Sequence, residues 1–257
     1  MNPDYVVTPS KKYWLREEMS IAEDLLSYVP YLTEEFLDRH DDFINGDFAK
    51  GQGLNHPVYD QYDNLPEGDY LEGGYSWRKG KAVSTSSGDV LLNRKESWKV
   101  DPIKYTDPTN NLNFWLGDEK FKYFPTATML TKKYGDDCMI SSYSIIESQS
   151  HIPRHTGSEN RDREYLRIHI PLIVPEGDIF FECEGVEIDW SDIFGFDNQL
   201  IHSAYNYSPY RRLVFLIDIK RSLMGIPIGE KYDVEREKHI PPFVRGALPK
   251  VLHTCQK

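Results

Sequence analysis

After Gly135 the apolar positions fall into short runs. Met139 to Ile146, Tyr165 to Val174, Ile179 to Cys183, Val186 to Trp190 and Arg212 to Ile219 are rich in β-branched and aromatic residues, with Pro, Gly and Asp between them. That spacing predicts the strands of an all-β barrel or sandwich. Upstream the period is helical. Ser20 and Glu23 have capping-box spacing, and Leu25, Leu26 and Val29 follow on one face until Pro30, which predicts a first helix. A second is expected from Thr33, with Phe36, Leu37, His40 and Phe43 at helical intervals. A third is expected over Thr126 to Tyr134, opened by Pro125 and closed by Gly135. Between these, residues 47–80 are rich in Gly, Asp, Asn, Pro and Tyr and predict ordered loops. Residues 82–118 predict short strands broken by Ser-Ser-Gly, Asp-Pro and Asn-Asn. The expected organisation is one domain: a helical and irregular flank over 1–119, a β core over 120–221 and an irregular extension over 222–257.

Composition narrows the partners. A net charge of -11 argues against nucleic acid, because phosphate binding requires a basic stripe. Hydrophobic residues at 39% and charged residues at 28% can build a sizeable core. Cys138, Cys183 and Cys255 lack metal-binding or disulfide spacing, which suits a reducing compartment. With no apolar leader at the start and no run of about 18 apolar residues, the expectation is a cytoplasmic protein with no membrane partner.

The segment HIPRHTGSENRDREYLRIHIPL, His151 to Leu172, carries three histidines and four arginines into an alternating strand. Farther on, FGFDNQLIHSAYNYSPYRRLVFLIDI brings His202 and Arg212. Strands distant in sequence lie side by side in a jelly roll, so His155 and His202 can converge on one metal while Arg212 points into the same barrel. Imidazole suits Fe, Zn, Cu and Ni alike. A guanidinium inside a barrel is a fork for a carboxylate, as a dicarboxylic co-substrate chelating iron requires.

With HTG at His155 to Gly157, LRIHIPLIVP at Leu166 to Pro175, FDNQLIH at Phe196 to His202, RRLVFLIDI at Arg211 to Ile219 and FPTATMLTKKYGDDCMISSYSII upstream, the chain resembles the aspartyl/asparaginyl β-hydroxylase group of Fe(II)- and 2-oxoglutarate-dependent oxygenases. The resemblance covers about residues 120–221. It implies a mainly β, double-stranded β-helix (jelly roll, cupin-like) catalytic core with flanking N-terminal α-helices. It also implies Fe(II), 2-oxoglutarate and O2 as cofactor and co-substrates. His155 and His202 are the implied iron ligands, and Arg212 the implied clamp for the distal carboxylate of 2-oxoglutarate, with Ser144 alongside it. Arg167 and His169 fall in the co-substrate and substrate pocket. The expected reaction is hydroxylation of an unactivated C–H bond, in a small-molecule or peptidyl substrate such as an Asp or Asn residue or an amino-acid-like carboxylate.

Two departures matter. Three more residues separate HTG from the Arg-x-His pair than the family pattern expects, so SENRDREY should form a longer loop at the pocket mouth, with Arg161 and Arg163 solvated. Gly157 stands where a two-histidine, one-carboxylate triad has its acid. Water fills that position in the family's hydroxylases and a halide fills it in halogenases, so a halogenase is the alternative enzyme. A non-catalytic metal-binding jelly roll serving as an interaction module is the alternative outside catalysis. Asp197 is either an orienting partner for a histidine ligand or a turn carboxylate.

Overall fold

The computed structural model describes residues 11–38, 68–71, 75–78, 81–84, 91–92, 98–107, 112–146, 148, 150–157, 160, 162–228 and 250–251. Every apolar run after Gly135 is a strand: Cys138–Ile146 (β8), Tyr165–Ile173 (β10), Ile179–Cys183 (β11), Val186–Ile188 (β12) and Arg212–Lys220 (β15). Four strands the pattern did not announce also belong to the core sheets. Tyr13–Leu15 (β1) and Phe194–Phe196 (β13) are too short to show a period. Ser150–His155 (β9) contains Pro153, which is tolerated because β9 is an edge strand. His202–Asn206 (β14) follows a turn and is mostly polar.

Upstream, Gly68–Leu71 (β2), Tyr75–Arg78 (β3), Lys81–Ser84 (β4) and Leu91–Leu92 (β5) form a separate four-stranded meander, so part of the segment expected to be loops is sheet. Trp98–Asp107 (β6) and Leu112–Trp115 (β7) form a hairpin. Of the two Asp-Pro pairs in this segment, the one at 107–108 falls at the end of β6 as expected, whereas Asp101-Pro102 lies inside β6 and shifts the register between Pro102 and Lys104. Lys250–Val251 (β16) pairs in parallel with β12.

The helical expectations shift in detail. Ala22–Ser27 (α1) has no side-chain cap. Glu23, expected in a capping box, is exposed and pairs with Arg16. Pro30 does not end a helix; it sits in the first turn of Val29–Leu37 (α2), where a missing N–H costs nothing. His40 and Phe43 lie outside the described residues. Gly117–Lys120 (α3) is a single turn, and Pro125–Tyr134 (α4) closes on Gly135 at φ +52 as expected. Glu35 of α2 accepts the N–H groups of Thr126 and Ala127 at 2.7 and 2.8 Å, satisfying the start of α4. Tyr143 Oη donates to the same carboxylate at 2.6 Å, joining both helices to β8.

The larger sheet has the order β1-β13-β10-β15-β8-β6-β7, and the other core sheet β16-β12-β11-β14-β9. On β8, β10 and β15 successive residues face opposite ways. Tyr143, Ile145, Ile168, Ile170, Leu213, Phe215 and Ile217 pack against the helices. Ile146, Val214 and Leu216 face Ile152, Phe181 and Ala204 of the smaller sheet. The result is a mainly β, double-stranded β-helix core flanked by N-terminal helices, with an interior closed between two sheets. No helix among the described residues is long and apolar enough to cross a membrane. Cys138 and Cys183 are buried free thiols. Burial pushes the first up to about 12 and the second well above its ordinary value, so neither is a reactive thiolate.

Candidate active site

The interior holds a cavity of about 50 Å³ lined by Ser144, Arg167, His169 and His202 among apolar side chains that include Trp190 and Phe196. Strand alternation selects them. Arg167 and His169 share one face of β10, while Ile168 and Ile170 turn to the helices. A one-residue slip would exchange the two sets.

His202 lies directly opposite His155 in the β14–β9 register. Residues opposite each other in an antiparallel pair have Cα atoms about 4.5 to 5.5 Å apart; for His155 the structure describes the backbone. The His202 ring is buried beside Phe196 and Phe181, with ring centroids 4.8 and 5.8 Å away. Its Nδ1 lies 2.8 Å from the Leu200 carbonyl. A carbonyl only accepts, so in the neutral ring Nδ1 carries the hydrogen and Nε2 the lone pair.

His169 is enclosed by Phe181, Phe194 and Phe196. Trp190 Nε1 donates to its Nδ1 at 2.9 Å. Since indole only donates, the neutral ring carries its hydrogen on Nε2. Burial, with the charges of Arg212 and Arg167 adding to it, holds this imidazole well below its usual pKa. His169 is therefore a neutral donor at physiological pH.

Arg212 is fully buried, whereas Arg211 beside it is half-buried, as the strand parity predicts. Its guanidinium stacks on Trp190 at 4.0 Å and donates to the carbonyls of Trp190 and Leu213. Its Nε has no partner among the described residues, and no carboxylate lies within ion-pair distance of it there. Burial lowers its pKa to about 9, against the opposing pull of Asp189, so it stays charged at neutral pH. Arg212 is not itself part of the cavity lining; it lies behind Trp190, which is. In the β15–β8 register Arg212 pairs with Ile146 and Val214 with Ser144, so Ser144 is one same-face step from Arg212.

Arg163, Arg167 and Arg221, by contrast, have carboxylate partners. Arg167 forms a two-pronged pair with Asp218, both bonds 2.8 Å, across the β10–β15 register. Arg163, expected in solvent, is buried and donates from Nε to Asp197 Oδ2 at 2.5 Å. Asp197 is a turn carboxylate held between Arg163 and Arg221, and the Leu200 carbonyl partners His202 instead. The interior residues missed in sequence are Trp190 and Asp218. Asp218 had a signal: it shares the parity of Arg212, Val214 and Leu216 in an otherwise apolar run.

The family model for aspartyl/asparaginyl beta-hydroxylase matches residues 76–222, more than half of the 257-residue chain. The chain belongs to the aspartyl/asparaginyl β-hydroxylase family. No curated protein matches the sequence. Similar solved structures include a Pseudomonas putida prolyl-4-hydroxylase, 12% identical, covering 82% of this chain and 93% of that one with a TM-score of 0.36. A 2OG-Fe(II) oxygenase family oxidoreductase from Burkholderia pseudomallei is 11% identical, covering 69% and 81%, with a TM-score of 0.34. A cupin-like protein from Thermotoga maritima is 10% identical, covering 68% and 98%, with a TM-score of 0.27. Likenesses this weak say nothing of activity. Membership of the hydroxylase family identifies the chain as an oxygenase-type enzyme.

Proposed function

We propose that this hydroxylase-family protein uses Fe(II) and 2-oxoglutarate to hydroxylate an unactivated C–H bond of an Asp or Asn residue or an amino-acid-like carboxylate. The observation that carries the reading is Arg212: a buried charge whose contacts among the described residues are two carbonyls and an indole face. Burying a guanidinium is costly unless an anion completes it. A carboxylate of 2-oxoglutarate is such an anion, and it exchanges for the Trp190 carbonyl when it binds.

Imidazole donors suit an iron ion. His202 and His155 are in cross-strand register, and the Leu200 carbonyl holds the His202 ring with its lone pair on Nε2, the arrangement of a metal-ligating imidazole. When bound, iron with O2 and 2-oxoglutarate supplies the oxidising power for C–H hydroxylation, and 2-oxoglutarate leaves as succinate and CO2. The protein binds and orients. Arg212 takes the distal carboxylate, Ser144 adds a hydroxyl on the same face, and neutral His169 offers an Nε2 hydrogen without adding charge. The aromatic wall of Phe181, Phe194, Phe196 and Trp190 excludes water. Because Asp218 neutralises Arg167, the Asp or Asn substrate rests on the family alone, and a substrate carboxylate must share Arg167 with Asp218.

The test is anaerobic titration of Fe(II)-loaded protein with 2-oxoglutarate, expecting a weak visible charge-transfer band. Aerobic turnover with Asp- and Asn-containing peptides and free amino acids should then yield succinate and a product heavier by one oxygen. Absence of both band and succinate overturns the proposal, and a chlorinated product in chloride buffer replaces hydroxylation with halogenation at the Gly157 position.

A further inference from the structure

The five residues Asp197 to Ile201, between β13 and β14, are bound on one side to the chain leaving β9 and on the other to a buried ion cluster. Gly157 N–H donates to the Asn198 carbonyl at 2.7 Å, and Gln199 Nε2 donates to the Gly157 carbonyl. Both backbone groups of the residue two past His155 are thus held by the turn that leads into His202. That turn is internally braced. Asp197 Oδ1 accepts the Gln199 N–H at 3.1 Å, and the Asp197 carbonyl accepts the Leu200 N–H at 3.0 Å. Leu200 in turn partners His202 Nδ1.

Asp197 Oδ2 is shared by two buried guanidinium groups, Arg163 from the β9–β10 loop and Arg221 from just past β15. Arg163 has a left-handed φ of +54, a conformation that is uncommon for a residue with a side chain. Asn160, on the same loop, donates to the Asn198 side chain at 3.3 Å and to the Tyr165 carbonyl at 2.8 Å. Asn160 and Arg163, in the loop expected to be three residues longer than the family pattern, therefore both bond to the turn before His202. Two cations on one buried carboxylate are expensive to desolvate, and their best-attested benefit is fixed geometry.

We propose that Arg163, Asp197 and Gln199 are positioning residues that fix the separation of His155 and His202, so that the lengthened loop acts on metal affinity rather than on substrate. This rests on the reading of the two histidines as metal ligands. The experiment uses the full chain and Mn(II), with free ion counted by its aqueous EPR signal, for the wild type, His202→Ala, Gln199→Ala, Arg163→Gln and Arg163→Lys. Saturable wild-type binding that His202→Ala abolishes upholds the metal reading; its absence overturns that reading and the clamp with it. Given wild-type binding, Gln199→Ala and Arg163→Gln should each weaken Mn(II) by about 10- to 100-fold, the range for outer partners of metal ligands. Arg163→Lys should recover most of the loss, and 2-oxoglutarate affinity at saturating Mn(II) should stay within about twofold of wild type while the metal affinity falls by that range. Unchanged Mn(II) affinity in folded Gln199→Ala and Arg163→Gln, with only a lower Tm, overturns the clamp and leaves the metal reading standing. If Arg163→Gln does not fold, Gln199→Ala decides alone, because it leaves the buried charges in place.

Discussion

The two faces of β8, β10 and β15 are built from alternate residues of the same strands and obey different rules. The face toward the helices is apolar almost throughout, closed by Tyr143, Ile168, Phe215 and Ile217. Its polar anchors to the helices among the described residues are the Tyr143 hydroxyl on Glu35 and the Ser141 hydroxyl on Thr131. The face toward the interior carries Ser144, Arg167, His169, Arg212 and Asp218 among apolar neighbours. There Arg167 has a carboxylate beside it and Arg212 has none among the described residues. The first face supplies stability through burial. The second trades part of that burial for polar groups that a folded chain tolerates only when they meet a partner.

The sharpest way to break this comparison is to remove a histidine from the interior face. His202→Ala should eliminate Mn(II) binding and succinate formation while keeping a cooperative unfolding transition, checked by EPR titration and far-UV circular dichroism. A variant that still turns over 2-oxoglutarate separates the interior face from catalysis.

Neighbouring positions on β15 give the next test. Phe215→Ala empties a site packed edge-on against Tyr143, with centroids 5.1 Å apart. It should cost about 3 to 5 kcal/mol, seen as a lower urea midpoint, with 2-oxoglutarate affinity of the folded protein unchanged. Arg212→Met, of opposite parity, should leave stability equal or slightly higher, since an apolar side chain replaces a buried charge. It should weaken 2-oxoglutarate by roughly 30-fold to several thousand-fold, the loss of about 2 to 5 kcal/mol for one half of a buried pair. Equal stability losses from both variants would erase the division between the faces.

Asp218→Asn probes the compensated cation. Removing the buried charge opposite half-buried Arg167 should cost about 3 kcal/mol, measured by chemical denaturation. If Asp218 also restrains Arg167 from anions, a carboxylate substrate should bind the variant more tightly than the wild type.

The smallest effect is the pH dependence from His169. Its folded pKa lies well below the ordinary value of 6.5, so below that pH the unfolded chain binds a proton that the folded chain refuses. Stability from this group is therefore present above about pH 6.5 and is lost as pH falls, by at most about 1.4 kcal/mol per pH unit. Between about pH 7 and pH 5.5 the wild type should lose about 1 kcal/mol more than His169→Gln, which keeps an acceptor for Trp190 and does not titrate. Parallel pH profiles would show that the imidazole is not sealed from water.

The apolar runs alone made β8, β10, β11, β12 and β15 legible, and the apolar surface they had to bury implied two packed sheets. Arg167, His169 and Arg212 stand out on the same basis, as polar side chains in apolar runs, whereas His155 and His202 stand out through their spacing and the family motifs. Short-range pattern did not announce β1, β9, β13 and β14, whose pairing is with strands distant in sequence. Pro30 could stop one helix or start the next, and only packing chose. Pairing was likewise tertiary. Asp218 opposite Arg167, Trp190 beneath Arg212, and Asp197 between Arg163 and Arg221 each join residues 22 or more positions apart. Sequence determined which residues were too polar for their surroundings. The register between distant strands decided which of them would be neutralised, because ion pairs and hydrogen bonds act over a few ångströms that only the folded chain sets.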